Sequence, residues 1–284
     1  MLIEEYRRSL KIPGAEEIFD LILYRPVAFV FVKTIYRLPI TPNQVTFLSL
    51  LASLASAWYF SIGSYAALIR GAVWYAIANI LDCSDGQLAR LQQSGTPLGR
   101  LVDGMVDYIS SIAIFLGIGI GLAGRDAAFW LPAILCGASS ALHAIVFDHY
   151  QSEFIFLVRG TNTPLTEELQ HFAQTYNSAN AGSRNGLRDF FLKIYLRYLD
   201  IQRTFAQNSR RQAVSKHPHN QDSSMIRWWS FLGPTTNRTA LIICALAGRV
   251  DVYLWIILLP GNAWLMVCLL RQRLLDRKVK IITP

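Results

Sequence analysis

Apolar residues gather in six stretches of the chain, at 44–63, 67–91, 99–123, 127–148, 232–249 and 252–270. Each comes close to the roughly 20 mostly apolar residues that an α-helix needs to cross a bilayer core. Connections after the first, third and fifth stretches are short, whereas 149–231 is long and polar. Upstream, residues 15–38 mix apolar and basic positions. VAFVFV at 27–32 is bracketed by Arg25 and Lys33 and is too short to cross. It reads as part of a helix lying on the inner leaflet. Pro39 and Thr41-Pro42-Asn43 then break that helix, with Thr41 placed as an N-cap and Pro42 as the first residue of the first span. The pattern predicts an all-α integral membrane protein with six transmembrane helices and an N-terminal interfacial amphipathic helix. Its parts are 1–40, cytoplasmic and interfacial; 41–148, spans one to four; 149–231, a cytoplasmic basic insertion; and 232–284, spans five and six with a basic tail.

The insertion carries helical signals of its own. Thr163-Pro164 followed by Glu167 and Glu168 is a helix start. Across 187–207, Leu187, Phe190, Phe191, Ile194, Tyr198 and Ile201 fall on one face and charged residues on another, which predicts an amphipathic basic helix. His217 and His219 flank Pro218 in a polar stretch and read as solvated rather than metal-binding.

Composition supports the membrane reading. Of 284 residues, 52% are hydrophobic and 16% charged, with mean hydropathy +0.30; soluble domains carry about 25% charged residues. The net charge of +8 then points to anionic headgroups rather than nucleic acid. With the N-terminus inside, the outer loops hold just Arg70, Arg125 and Arg249 of the 27 basic residues, which fits the positive-inside rule. No apolar stretch of signal-peptide type follows MLIEEYRRSLK, so the first span is expected to direct insertion into the cytoplasmic membrane. Cys83, Cys136, Cys244 and Cys268 lie in apolar context and read as buried packing residues.

Four aspartates disturb this pattern. Asp82 and Asp85 are three residues apart and share a face near the inner end of span two; Asp103 and Asp107, four apart, share a face at the start of span three. Gly99 lies one turn before Asp103 on that face. The intervening 91–98, with Gly95 and Pro97, is short enough to reverse the chain, so the two carboxylate pairs would face each other. Burying one unpaired carboxylate costs several kcal/mol, and like charges add to that. Capping accounts for one or two of the acids, not four in two same-face pairs. Oxygen ligands without His or Cys favour hard divalent ions, two Mg²⁺ or Mn²⁺. Such a centre at the cytoplasmic face, facing the cytoplasm, suits a diphosphate undergoing in-line displacement. Gly86 and Ala89 leave room for close approach, and Arg90, two turns after Asp82, can grip phosphate oxygens. One carboxylate not used fully as a ligand could take a proton from an attacking hydroxyl.

The arrangement Asp82, Asp85-Gly86, Ala89-Arg90, Gly99, Asp103 and Asp107 resembles the signature of the CDP-alcohol phosphotransferases, D-x2-D-G-x2-A-R-x8-G-x3-D-x3-D, at every fixed position. The start of span one, Pro42, Asn43 and Thr46, is similar to the family as well. The resemblance implies that Asp82, Asp85 and Asp103 hold two divalent ions, with Asp107 a further ligand and the general base. It implies that Arg90 binds the diphosphate and that Gly86 and Ala89 line the nucleotide pocket, with Asn43, Thr46 and Gly99 beside it. It further implies a CDP-linked lipid donor such as CDP-diacylglycerol, a small polar alcohol as acceptor, inositol phosphate among the candidates, and CMP as product.

Arg238, in the TTNRT opening of span five, would sit at the depth of the aspartates and needs a partner there. With Thr236, Asp148 and Arg159, it is a candidate for binding the acceptor. Gly117 and Gly121 form a GxxxG in span three that permits tight helix contact within or between chains, so a homodimer is a possible partner arrangement. Three rivals stand beside this reading: transfer of a phospho-aminoalcohol from CDP-choline or CDP-ethanolamine to diacylglycerol, a Mg²⁺-dependent membrane prenyltransferase, and a non-enzymatic cation transporter. Arg90 would oppose a cation path, and prenyltransferase carboxylates come from two widely separated helices.

Overall fold

The computed structural model describes residues 2–11, 14–159 and 223–282, and every regular element among them is helical. Short α1 (Leu2–Ser9) is followed by a π-helical turn, Asp20–Tyr24, that runs directly into α2 (Arg25–Ile35). Four long helices follow: α3 (Pro42–Ile62), α4 (Tyr65–Gln92), α5 (Pro97–Ala123) and α6 (Trp130–Arg159). After the undescribed stretch come α7 (Ser223–Ser230), α8 (Pro234–Leu246), α9 (Val250–Ile256), a π-helical turn at Ile257–Gly261, and α10 (Asn262–Ile282). The amphipathic helix expected at 187–207, the helix start at Thr163 and the two histidines lie outside the described residues.

Local chemistry sets the helix ends. Thr41 caps α3 through a reciprocal pairing with Gln44, and Pro42 occupies the first helical position, as the sequence suggests. Ser64 caps α4 and Thr96 caps α5 by accepting from the backbone three residues on. Gly63 closes α3 at φ +70°, a backbone conformation that side chains other than glycine's rarely take.

Two compact units can be distinguished, one of Met1–Gln151 with Ser223–Leu270, the other of Ser152–Asp222 with Arg271–Pro284. The second, where described, comprises the C-terminal ends of α6 and α10. In the first unit α3 packs along both α4 and α5, while α2 and α8 pack on α4. The core pairs Phe60, Ile114, Ile118, Leu241 and Leu254 with small residues such as Ala52, Ala72 and Ala245. Phe47, Leu51, Trp58, Ile112, Leu131 and Ile134 point outward while Ser49, Ser53 and Ser56 are buried. That outward apolar surface is the surface of a helix bundle solvated by lipid.

Among the described residues, five helices are long and apolar enough to cross a membrane: Pro42–Ile62, Tyr65–Gln92, Val102–Ala123, Ala127–Ile155 and Val250–Leu275. The protein is thus an all-α integral membrane protein, with the count of six spans approximate. The expected span at 232–249 resolves as α8, only 13 residues long, or about 20 Å. Its opening turn, Thr235 to Thr239, is polar, and a Gly248 at φ +71° ends it early. It nonetheless follows α4 closely: Arg238 pairs with Asp82 near the C-terminal end of α4, and Tyr65 at the other end donates to the Leu246 carbonyl at 3.4 Å. Span four also differs, since α6 continues through 149–159 into the stretch expected to begin the insertion.

The GxxxG of α5 is used within the chain. A Cβ on Gly117 would strike the Ala57 carbonyl, and one on Gly121 the Phe60 carbonyl. These glycines let α3 and α5 touch backbone to backbone, and the homodimer expected from them is left without the residues that suggested it.

Candidate active site

Three of the four carboxylates converge. Helices α4 and α5 are joined by a four-residue reversal at 93–96, which begins with Gln93 in a left-handed conformation. Oxygens from Asp82, Asp85 and Asp103 lie within 4.8 Å of one another. Thr46 Oγ1 donates to Asp85 Oδ2 at 2.6 Å, the contact that lets Asp85 stand 5% exposed on α4. Asp103 Oδ1 is buried and has no hydrogen-bond partner among the described residues. Three acids aimed at one point, one of them with an orphaned oxygen, form a donor set that suits a hard divalent cation.

Asp107 stands apart from this triangle. Its Oδ1 accepts from Arg238 Nη2 at 2.6 Å, while Arg238 Nη1 donates to Asp82 Oδ2 at 2.8 Å and to Asn79 Oδ1 at 2.9 Å. The guanidinium is therefore a strut between the two carboxylate pairs. Asn79, one turn before Asp82 on α4 and 1% exposed, escaped the sequence reading. Its i,i+3 spacing to Asp82 was the available signal.

Arg90 does not reach the carboxylates. Its Nε donates to the Ser9 carbonyl at 2.5 Å, and its Nη2 is buried with no partner among the described residues. A Cβ on Gly86 would lie 3.3 Å from that Nη2, so the glycine makes room for the arginine of its own helix. A buried guanidinium nitrogen without an acceptor is ready for an anion. Ala89 is half-buried between them, and its carbonyl closes the helix by accepting from Ser94 at 3.0 Å. Gly99 packs against Asn43, whose Oδ1 would lie 3.1 Å from an added Cβ. Asn43 also borders a groove with Ile40, Gln44, Phe47 and Leu48.

Thr236 and Asp148 are not brought into the cluster. Thr236 is committed elsewhere, donating from its backbone N and Oγ1 to Glu17 Oε2 at 2.9 and 3.1 Å. Asp148 is exposed on α6 and makes no hydrogen bond among the described residues. Arg159 ends α6, and its side chain lies outside the described residues.

A second layer, absent from the sequence reading, holds these helices in place. Glu17 reaches the start of α8, accepting from Thr235 N at 3.1 Å as well as from Thr236. A Cβ on Gly233 would run into the Glu17 carboxylate, so this glycine is required by close approach. Arg25 and Glu16 form a buried ion pair at 3.0 Å, and Gln87 donates to the Arg25 carbonyl. Acids within a stretch read as interfacial were the sign that it docks on protein.

Burial pushes Glu17 up from 4.5 to about 7, with Asp20 adding to the rise and the α8 donors opposing it. Burial raises Asp20 too. A carboxyl whose folded value is raised contributes stability that is present at low pH and lost as pH climbs through that folded value. Thermal stability in detergent is therefore expected to decline between about pH 5 and about pH 7. Glu17→Gln should flatten part of that decline, leaving the share owed to Asp20 and the other buried acids. An unchanged slope in a melting series across pH would place its origin elsewhere.

Residues 39–163 match the family model described as CDP-alcohol phosphatidyltransferase. Over these residues the chain is similar to the CDP-alcohol phosphatidyltransferases. Two relatives agree. Archaetidylinositol phosphate synthase of Pyrococcus horikoshii is 33% identical over 89 residues, 31% of this chain and 46% of that protein. Bifunctional IPC transferase and DIPP synthase of Rubrobacter xylanophilus is 31% identical over 100 residues, 35% of this chain and 22% of that protein. The matched stretch thus spans less than half of either relative. The matched stretch includes all four aspartates, Arg90 and Asn43 but not Arg238, which reaches the site from beyond the matched residues.

Proposed function

We propose that this protein transfers a phosphatidyl-type group from a CDP-linked lipid, CDP-diacylglycerol in the first instance, to a hydroxyl of a polar alcohol, with release of CMP. The observation that carries the reading is the convergence of Asp82, Asp85 and Asp103 within the full family spacing, with Arg90 on the same helix offering a buried Nη2 that has no acceptor among the described residues. Both relatives' names denote transferases or synthases, and the name of the first supports inositol phosphate as the acceptor.

Asp82, Asp85 and Asp103 would hold the divalent ions, Mg²⁺ or Mn²⁺, with Asp107 contributing to a second position. Bound there, the metals supply charge neutralisation for the diphosphate and its CMP leaving group. Thr46 keeps Asp85 turned toward the centre. Arg90 Nη2 takes a diphosphate oxygen, held at the right height by Ser9. Asn43 and Gly99 border the nucleotide, and the groove along Phe47 and Leu48 gives the donor's apolar chains a route that stays in lipid. Asp107 accepts the proton of the attacking hydroxyl, whose oxygen forms the new bond to the β-phosphorus as the bond to CMP breaks. Arg238 is the nearest cation for a phosphate on the acceptor. The site faces the cytoplasm, a placement that the distribution of Lys and Arg supports.

The test is CMP release by the purified protein from CDP-diacylglycerol with inositol phosphate and Mg²⁺ or Mn²⁺. Chelation is expected to remove turnover, and restored metal to return it. Turnover in the presence of excess chelator would overturn the metal-dependent reading. Activity with CDP-choline and diacylglycerol in its place would reverse which substrate carries the lipid.

A further inference from the structure

We propose that Arg238 occupies the place of the second cation, so that this ion loads when a phosphate-bearing ligand has drawn the guanidinium away. The inference rests on the reading of the site as a centre for two ions.

The four carboxylates are divided unequally. Asp82, Asp85 and Asp103 each bring an oxygen within 4.8 Å of the others, and the buried Asp103 Oδ1 has no partner. Those three accept one ion as they stand. The second position would draw on Asp107 and Asp82, the two acids that Arg238 bridges at 2.6 and 2.8 Å. A divalent ion bound there would lie in close range of the guanidinium, where like charges repel strongly in a site partly withdrawn from water. Ion and guanidinium therefore exclude each other.

Arg238 cannot simply turn into solvent, because its side chain is 13% exposed. The neutral Asn79 Oδ1 that also holds it does not replace a carboxylate. What can release it is another anion that fits a planar fork, and phosphate oxygens do so. The phosphate can come from the donor's diphosphate or from a phosphorylated acceptor. In either case the second ion and the ligand strengthen each other's binding by the same factor. The centre then completes itself only around substrate.

Because a diphosphate also binds metal directly, the diagnostic measurement is made without one. Mn²⁺ uptake by the purified full-length chain in detergent is followed by the spectroscopic signal of free Mn²⁺, with no nucleotide or phosphate present. The wild type is expected to bind one ion tightly and a second at least about 10-fold more weakly. Arg238→Gln should bind two with similar affinity, whereas Arg238→Lys, which keeps the charge without the fork, should stay close to the wild type. Inorganic phosphate and CDP, added in separate arms, report which ligand strengthens the second site in the wild type. Two equivalent ions in the anion-free wild type, or a second site equally weak in Arg238→Gln, would overturn the proposal; the first of these requires no variant to fold. Absence of Mn²⁺ binding in every protein would instead overturn the two-ion reading, and this inference with it.

Discussion

Asp103→Asn should abolish turnover while leaving the fold intact or more stable. Asp103 Oδ1 is buried and has no partner, so in the protein alone its charge is a cost. Asparagine removes that charge at nearly constant volume. A residue kept for stability would lose melting temperature on this change; one kept as a ligand would gain it or hold level. Loss of a charged ligand from the metal centre should reduce kcat/KM by at least about 10³-fold, the scale of losing one strong electrostatic stabiliser. Parallel measurements of CMP release, Mn²⁺ binding and thermal unfolding check the pattern. A variant with normal Mn²⁺ affinity would remove Asp103 from the ligand set.

The second large effect is expected at Asp107, and its form differs. Asp107 lies outside the tight triangle, is 44% exposed, and meets the open side of the site with Arg238 against it. An asparagine at this position can still accept from Arg238, so the neighbouring geometry survives. What it cannot do is take a proton. Asp107→Asn should therefore lower kcat by about 10²- to 10⁴-fold, with the KM for the CDP-linked donor changed far less once Mg²⁺ saturates the weakened second position. Near-normal kcat with a raised donor KM would return Asp107 to a binding role alone.

Much of this site could be read from the chain because its residues are local. Thirty residues carry all four acids, their helix register and the turn that opposes them. Caps at Thr41 and Thr96 depend on neighbours three residues away and are equally visible. What escaped depends on long-range pairing. Thr46 reads as a nucleotide contact until Asp85 is found 2.6 Å away, 39 positions on. Arg238 was placed at the right depth, but its partners come from two other helices. Thr236 was expected at the acceptor and is taken by Glu17. The length of α8 was misread because hydropathy over 232–249 averages its polar first turn with the apolar residues behind it. Gly86 was assigned to substrate access, whereas its nearest demand comes from Arg90, whose fold back over α4 no spacing rule encodes.

The docking of Glu17 on α8 has a consequence for how the protein is made. Its partners Thr235 and Thr236 are synthesised 218 and 219 residues later. At about 5–20 residues per second, that is an interval of roughly 10–40 s on the ribosome. Throughout it, the N-terminal strap has no α8 to hold, and Arg238 has not yet joined the carboxylates. The four acids thus enter the membrane before their protein-derived counter-charge exists. A translation product cut short after α6 would contain the whole family signature and still lack both Arg238 and the α8 residues that hold Glu17.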